Sequence, residues 1–149
     1  MEYLYRDIGI YADTKDNLII IPTGESQKWG GPVDINLPAQ LNYPYTNEEL
    51  EKAIHTAFKQ CFSMIPDEED KVTVMEKLLK VKGYARAVKD KRCVSFSWSV
   101  DEGYIITPTE KKPRQGYCFL NDKEINLGFN PKAGEIAEAI REAIKLSTI

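Results

Sequence analysis

The chain has little of the residue types from which catalytic and metal sites are usually built. It contains one histidine and three cysteines in 149 residues. Any histidine-dependent mechanism would have to pass through His55, and one histidine cannot form a His-rich metal site. Cys61, Cys93 and Cys118 are odd in number, widely spaced and without a C-x-x-C pair, which argues against a disulfide framework or a zinc site. We therefore expect no metal and no cofactor.

Long apolar runs are also absent. No segment approaches the run of about 20 apolar residues that crosses a bilayer, and the opening MEYLYRDIGIY lacks a basic region followed by an apolar core. Gly24, Gly30 and Gly31 do not have the spacing of a phosphate-binding loop. These absences predict a cytoplasmic protein that does not associate with membranes, and they give no support to a nucleotide-dependent enzyme.

Charge is unevenly divided along the chain. Residues 1–75 hold 13 acidic and 6 basic side chains, a net charge of −7, whereas residues 76–149 hold 10 acidic and 14 basic, a net charge of +4. Such a division bears on association rather than on fold. The acidic half argues against nucleic acid as the main ligand, because phosphate contacts need clustered lysine and arginine. It is compatible with a basic protein partner.

Seven short strands are predicted between turn-forming residues, and those at 33–37 and 94–99 show the apolar–polar alternation typical of a half-buried strand. They span residues 3–12, 18–22, 33–37, 94–99, 104–107, 117–120 and 124–128. In the fourth, Val94, Phe96 and Trp98 alternate with serines and are expected to face the core. Pro108 is expected to close the fifth strand because proline cannot donate to a ladder, and a basic turn at 111–114 follows.

Three helices are predicted between and after these strands. Thr46 and Glu49 have capping-box spacing before an apolar stripe with helical period, and His55 falls off that stripe. A second helix is predicted over roughly residues 71–81. A closing helix carries a clear apolar face, and Asn130 is expected to be its N-cap with Pro131 at the first helical position.

These elements follow one another with short connections and without an internal repeat or a linker. They predict a single α+β domain over residues 1–149. Its sheet is expected to be mainly antiparallel, with two or three helices packed on it, including a C-terminal helix.

No pair of residues is arranged for catalysis, so the chain is expected not to be an enzyme. Acidic residues are densest from Asp67 to Asp70, and Trp29 lies in a loop beside two glycines. We take five residues as candidate partner-binding residues, with capping of the following helix as the alternative role for the acidic ones. The five are Trp29, Asp67, Glu68, Glu69 and Asp70.

Several short motifs in the C-terminal part of the chain are shared with one bacterial family. They are Ser97-Trp98, Gly103-Tyr104, Pro108-Thr109, Gln115-Gly116-Tyr117 and the helix pattern Ala139…Ala143…Ser147. Over about the last 60 residues the chain resembles the CdiI-type immunity proteins, which protect bacteria against the toxins of contact-dependent growth inhibition. Residues 131–134 match the start of the family's last helix more loosely. All of these motifs are structural rather than catalytic.

The resemblance implies a cytoplasmic inhibitor that occludes the active site of a cognate toxin and has no catalytic groups of its own. Its partner would be the toxin's C-terminal domain, expected to be a nuclease, whose basic substrate surface an acidic face would complement. Each such protein is matched to its own toxin, so toxin-facing residues cannot be transferred from the family. The alternatives are a small nucleic-acid-associated protein or enzyme that uses the basic residues 77–92, and an interaction module without a toxin partner.

Overall fold

A curled antiparallel sheet organises the structure, which is a computed structural model that describes residues 4–149. Its strands are β1 Tyr5–Ala12, β2 Leu18–Glu25, β3 Pro32–Asp34, β4 Ala39–Leu41, β5 Arg92–Ser99, β6 Gly103–Lys112, β7 Gly116–Phe119 and β8 Ile125–Gly128. The strand order is β3-β2-β1-β5-β6-β7, with β4 paired to β2 and β8 paired to β6. Every pairing is antiparallel.

Four helices accompany the sheet in the described part of the chain. They are α1 Asn47–Gln60, α2 Val74–Leu79, α3 Tyr84–Ala87 and α4 Glu135–Leu146, with a 3-10 turn at Asn121–Lys123. The predicted α+β class, antiparallel sheet and C-terminal helix are confirmed. The predicted start of the first strand at Tyr3 lies outside the described residues. No described helix combines the length and the apolar character that a membrane crossing requires.

The main core lies between α1, α4 and one face of the sheet. Its fully buried members include Ile10, Ile20, Val94, Phe96, Leu50, Ile54 and Ile140. The Phe58 ring of α1 meets Phe96 edge to face, with centroids 5.1 Å apart, an arrangement that aromatic pairs prefer. Trp98 also packs on this core, as predicted, but stays partly exposed with the Arg6 guanidinium 6.0 Å from its ring.

A second, smaller core covers only one end of the opposite sheet face. There α2 and α3 pack on β1 and β2, and the buried residues include Tyr11, Ile19, Ile21, Val74, Met75, Ala87 and Val88. The hydroxyls of Tyr11 and Tyr84 lie 2.7 Å apart and join α3 to the sheet. The remainder of this face carries serine, threonine, glycine and aspartate, too polar a set to recruit a packed helix. It stays open.

Strand β6 continues beyond the predicted stop at Pro108. Pro108 pairs with Val94 inside the ladder, and its carbonyl accepts a hydrogen bond from Leu120 N at 2.9 Å. A proline can occupy a strand where only its carbonyl is needed, so the predicted stop was wrong. The predicted basic turn at 111–114 was also misplaced, because Lys111 and Lys112 end β6 and pair with β7.

The starts of α1 and α2 are set by local side-chain caps. Thr46 and Glu49 form the predicted capping box, with both hydrogen bonds at 3.1 Å. Thr73 and Glu76 form a second box, so α2 begins at Val74 and not near residue 71. The acidic residues 67–70 therefore do not cap this helix, and the alternative role considered for them is wrong.

The start of α4 also differs from the prediction. Asn130 is not its N-cap and Pro131 is not its first residue, because the helix begins after Gly134, which has a φ of 91°. The Glu51 carboxylate of α1 accepts hydrogen bonds from Gly134 N at 3.0 and 3.1 Å and from Ala137 N at 3.0 Å. A carboxylate from another helix thus replaces the local cap.

Candidate functional site

The structure brings most of the predicted partner-binding residues together around one cleft of about 370 Å³. The cleft lies between the loop that follows β2, strand β3 and the segment that precedes α2. Its lining includes Trp29, Asp67, Glu68 and Asp70 from the prediction. Glu69 is next to the cleft without lining it. Residues some 40 positions apart in the chain thus form one surface, which we call the acidic cleft.

The loop that carries Trp29 is held by Glu68. Ser26 Oγ donates to Glu68 Oε1 at 2.5 Å, and Gln27 N donates to Glu68 Oε2 at 2.8 Å. The loop closes on itself, because Ser26 N donates to Gly31 O at 2.8 Å. Glu68 therefore fixes the position of Trp29 relative to residues 67–70, which we call the acidic segment.

The Trp29 side chain is presented to solvent at one side of the cleft. It is 65 % exposed, and its backbone N donates to Ser26 Oγ at 3.1 Å. The indole ring folds over Gly31, where an added Cβ would lie 1.7 Å from Trp29 Cζ3. Because glycine has no Cβ, the Trp29 ring can occupy this space. A large exposed aromatic with a fixed backbone is typical of an interface anchor.

Contacts within the acidic segment and with neighbouring residues hold it in place. Asp70 Oδ2 lies 2.5 Å from Lys77 Nζ and Asp70 Oδ1 accepts from Val72 N at 2.9 Å. Asp67 Oδ1 accepts a longer bond from Asp70 N at 3.3 Å, and Glu69 Oε1 lies 3.4 Å from the exposed Lys28 Nζ.

Hydrogen bonds keep two of these carboxylates ionised. The bond from Ser26 lowers the pKa of Glu68, and the bond with Lys77 lowers the pKa of Asp70, both below their ordinary values. The carboxylates are therefore negatively charged at neutral pH. Four acidic residues and two lysines line the cleft, namely Asp34, Asp67, Glu68, Asp70, Lys71 and Lys77, which leaves an excess of negative charge.

Asp34 is a site residue that the sequence analysis missed. It lies on β3 opposite Thr23 and borders both the acidic cleft and a groove over the open face of the sheet. The Asp34 side chain keeps solvent contact, yet the protein atoms around its carboxylate raise its pKa to about 6. In the sequence, Asp34 is one polar residue of an alternating strand, and nothing there distinguishes it.

His55 and the cysteines supply no chemistry at this cleft. His55 is exposed on α1, as its position off the apolar stripe predicted. The three cysteines are free thiols, of which Cys61 is buried and Cys118 lies within β7. Within residues 4–149, no three histidine, cysteine or acidic side chains are grouped as metal ligands would be.

The basic segment 77–92 lies on α2, α3 and the turns around them. Several of its polar groups serve the fold: Lys77 pairs with Asp70, Arg92 Nε donates to Ser147 O at 3.0 Å, and Tyr84 bonds to Tyr11. The other exposed cations of the segment are Lys80, Lys82, Arg86 and Lys89.

The arrangement defines an α+β protein with a curled antiparallel sheet, helices on both faces and an acidic cleft beside the smaller helices. A solved structure shares this fold over 99 % of the chain and 100 % of its own length, with a TM-score of 0.76 and 16 % sequence identity. It is the protein of unknown function NMB0488 from Neisseria meningitidis. No family model and no curated protein matches the sequence. The likeness therefore concerns the fold alone.

Proposed function

We propose that this chain is a non-enzymatic immunity protein that binds the C-terminal domain of a cognate contact-dependent growth inhibition toxin and neutralises it in the cytoplasm. The toxin is a nuclease in this proposal, and the acidic cleft occludes its active site. The observation that carries the proposal is the meeting of Trp29 with the acidic segment at one cleft.

Charge and an anchoring aromatic support this function in different ways. A nuclease presents a basic surface to its phosphate substrate, and the excess of carboxylates in the cleft would attract that surface and speed the encounter. Exposed tryptophan contributes more to interface affinity than most residue types. An inhibitor needs no catalytic group, which fits a cleft whose charged lining consists of carboxylates and lysines beside one indole.

The alternative, a nucleic-acid-associated protein or enzyme that uses residues 77–92, has weaker support. Base stacking needs aromatic side chains among cations on one face. Tyr84 is the aromatic of this segment, and its hydroxyl is bonded to Tyr11. Lys77 is paired with Asp70 at the edge of the acidic cleft, where a phosphate backbone would be repelled.

Co-expression in a bacterial host tests the proposal. The toxin gene is sought beside the gene for this chain, as the C-terminal domain of a very large exported protein. Wild-type protein should restore growth to cells that express this toxin domain. Trp29→Ala should weaken binding of the purified domain by at least about tenfold, the lower range for an interface anchor. Glu69→Lys should slow association, with a weaker salt dependence.

Matched variants separate binding from folding. Phe129→Ala removes another exposed aromatic and Glu142→Lys reverses an exposed charge on α4, both away from the cleft, and both should bind like wild type. Gly31→Ala keeps Trp29 but displaces its ring and should resemble Trp29→Ala. If folded Trp29→Ala and Glu69→Lys bound the toxin as well as wild type, the cleft would not be part of the interface. Absence of growth rescue by wild type would contradict the function.

A further inference from the structure

A second groove adjoins the acidic cleft at Asp34 and could receive a side chain of the partner. The groove has a volume of about 400 Å³ and lies on the part of the sheet face that α2 and α3 leave open. Strands β1 and β5 run through its middle. Strand β3 borders one side of the groove, and Phe119 of β7 and Asn121 border the other.

The floor of the groove is lined by small and hydroxyl-bearing residues. Gly9 is paired with Ser95, and Ser95 with Thr107, so the three lie in a row across β1, β5 and β6. A Cβ at Gly9 would meet only Tyr11 Cε2, at 3.9 Å, which leaves space above the strand. In the described part of the chain, the hydroxyls of Ser95 and Thr107 have no hydrogen-bond partner. They are available to accept bonds from a ligand.

Two carboxylates without a counter-charge border this floor. Asp7 lies on β1 opposite Ser97, and Asp34 lies on β3. No described residue forms a salt bridge or a side-chain hydrogen bond with either carboxylate. Partial burial raises the pKa of Asp7, and the protein atoms around the Asp34 carboxylate raise its pKa to about 6 although the side chain is solvent-exposed, so neither carboxylate has the partner that would offset the shift. A cation in the groove would supply that partner.

We infer that the groove receives an arginine side chain of the protein partner, with Asp7 and Asp34 as its counter-charges, while Ser95 and Thr107 accept hydrogen bonds from other donors of the same partner segment. This inference deepens the proposed function, since it names one contact of the toxin. Arginine fits better than lysine, because its planar guanidinium carries five N–H donors and can bind two carboxylates at once.

A short peptide tests the groove without the toxin. The ¹⁵N-labelled full chain is titrated with the capped pentapeptide Gly-Ser-Arg-Ser-Gly and with the same peptide carrying citrulline, which keeps the shape of arginine without its charge. The arginine peptide should produce saturable shifts of amides on β1, β3 and β5, and the citrulline peptide should not. Asp34→Asn should weaken binding at least about tenfold, the loss expected for a charge-assisted hydrogen bond.

Glu25→Gln is the matched control, because it removes one exposed charge from β2 outside the groove and should leave affinity unchanged. Gly9→Val fills the floor without changing charge and should abolish binding in a protein that still melts cooperatively. The inference would be overturned if the two peptides bound equally well, or if Asp34→Asn and Glu25→Gln had equal affinities. It would also be overturned if the amide shifts lay outside β1, β3 and β5, or if binding did not saturate up to about 10 mM peptide. None of these results would change the growth-rescue test or the binding results of the cleft variants, which test the proposed function separately. If the wild type failed to rescue growth but still bound the arginine peptide specifically, the toxin proposal would be contradicted and the arginine-binding groove would stand.

Discussion

Single residues of the acidic segment have two different roles. Glu68 and Asp70 hold structure, since Glu68 binds the Trp29 loop and Asp70 binds Lys77. Asp67 and Glu69 are exposed, and only weak contacts engage them. The sequence showed the cluster but not this division, because Ser26, the partner of Glu68, lies 42 positions away. Charge reversal at Glu69 is therefore a cleaner probe of binding than reversal at Glu68.

Asp34→Asn should make the protein more stable at pH 7.5 than the wild type. The folded-state pKa of Asp34, about 6, exceeds its ordinary value of 3.8, so folding disfavours the ionised form. As pH rises from about 4 to above 6, the wild type should lose stability relative to the variant, which binds no proton at this site. Urea unfolding at pH 4 and pH 7.5 measures the difference, which should be larger at pH 7.5.

Other charged groups around Asp34 are common to both proteins and largely cancel in this comparison. They are Asp7, Asp67, Glu68, Asp70, Lys71 and Lys77. A difference in unfolding midpoint that is the same at both pH values would show that Asp34 carries no perturbed ionisation. Lower stability of Asp34→Asn at pH 7.5 would reveal a partner for the carboxylate and count against the open groove.

At the scale of elements, the sequence predicted what local patterns determine. The apolar stripe and capping box located α1, strand-forming segments on both sides of a polar turn located β1 and β2, and alternation located β5. It failed where a distant group sets the boundary. The first residue of α4 depends on Glu51 of another helix, and β6 continues through Pro108 because only its carbonyl is used. Neither dependence is visible in the local sequence.

Glu51→Ala should destabilise the fold by about 1–2 kcal/mol, the usual cost of losing a helix cap. The substitution leaves Gly134 N and Ala137 N without their acceptor at the start of α4. Urea unfolding at pH 7 provides the measurement. Glu48→Ala, at an exposed position in the first turn of the same helix, is the control and should cost less. Equal losses for the two variants would show that the contact between helices contributes nothing.

At the scale of the whole molecule, topology rather than composition creates the candidate site. The charge division between residues 1–75 and 76–149 predicted an acidic surface but not its location. The cleft forms because β3 lies at the edge of the sheet beside the segment that leads into α2. The groove forms because α2 and α3 cover only one end of a sheet face. Both follow from long-range packing, which periodicity does not encode.

Occlusion of a toxin active site is tested most directly by titrating the purified toxin domain with this protein and measuring residual nuclease activity. At toxin concentrations well above the dissociation constant, activity should fall in proportion to added protein and reach background at a ratio of one to one. Trp29→Ala and Glu69→Lys should require more protein, while Glu142→Lys should match wild type. Nuclease activity that persists in the presence of excess folded wild-type protein would contradict the account.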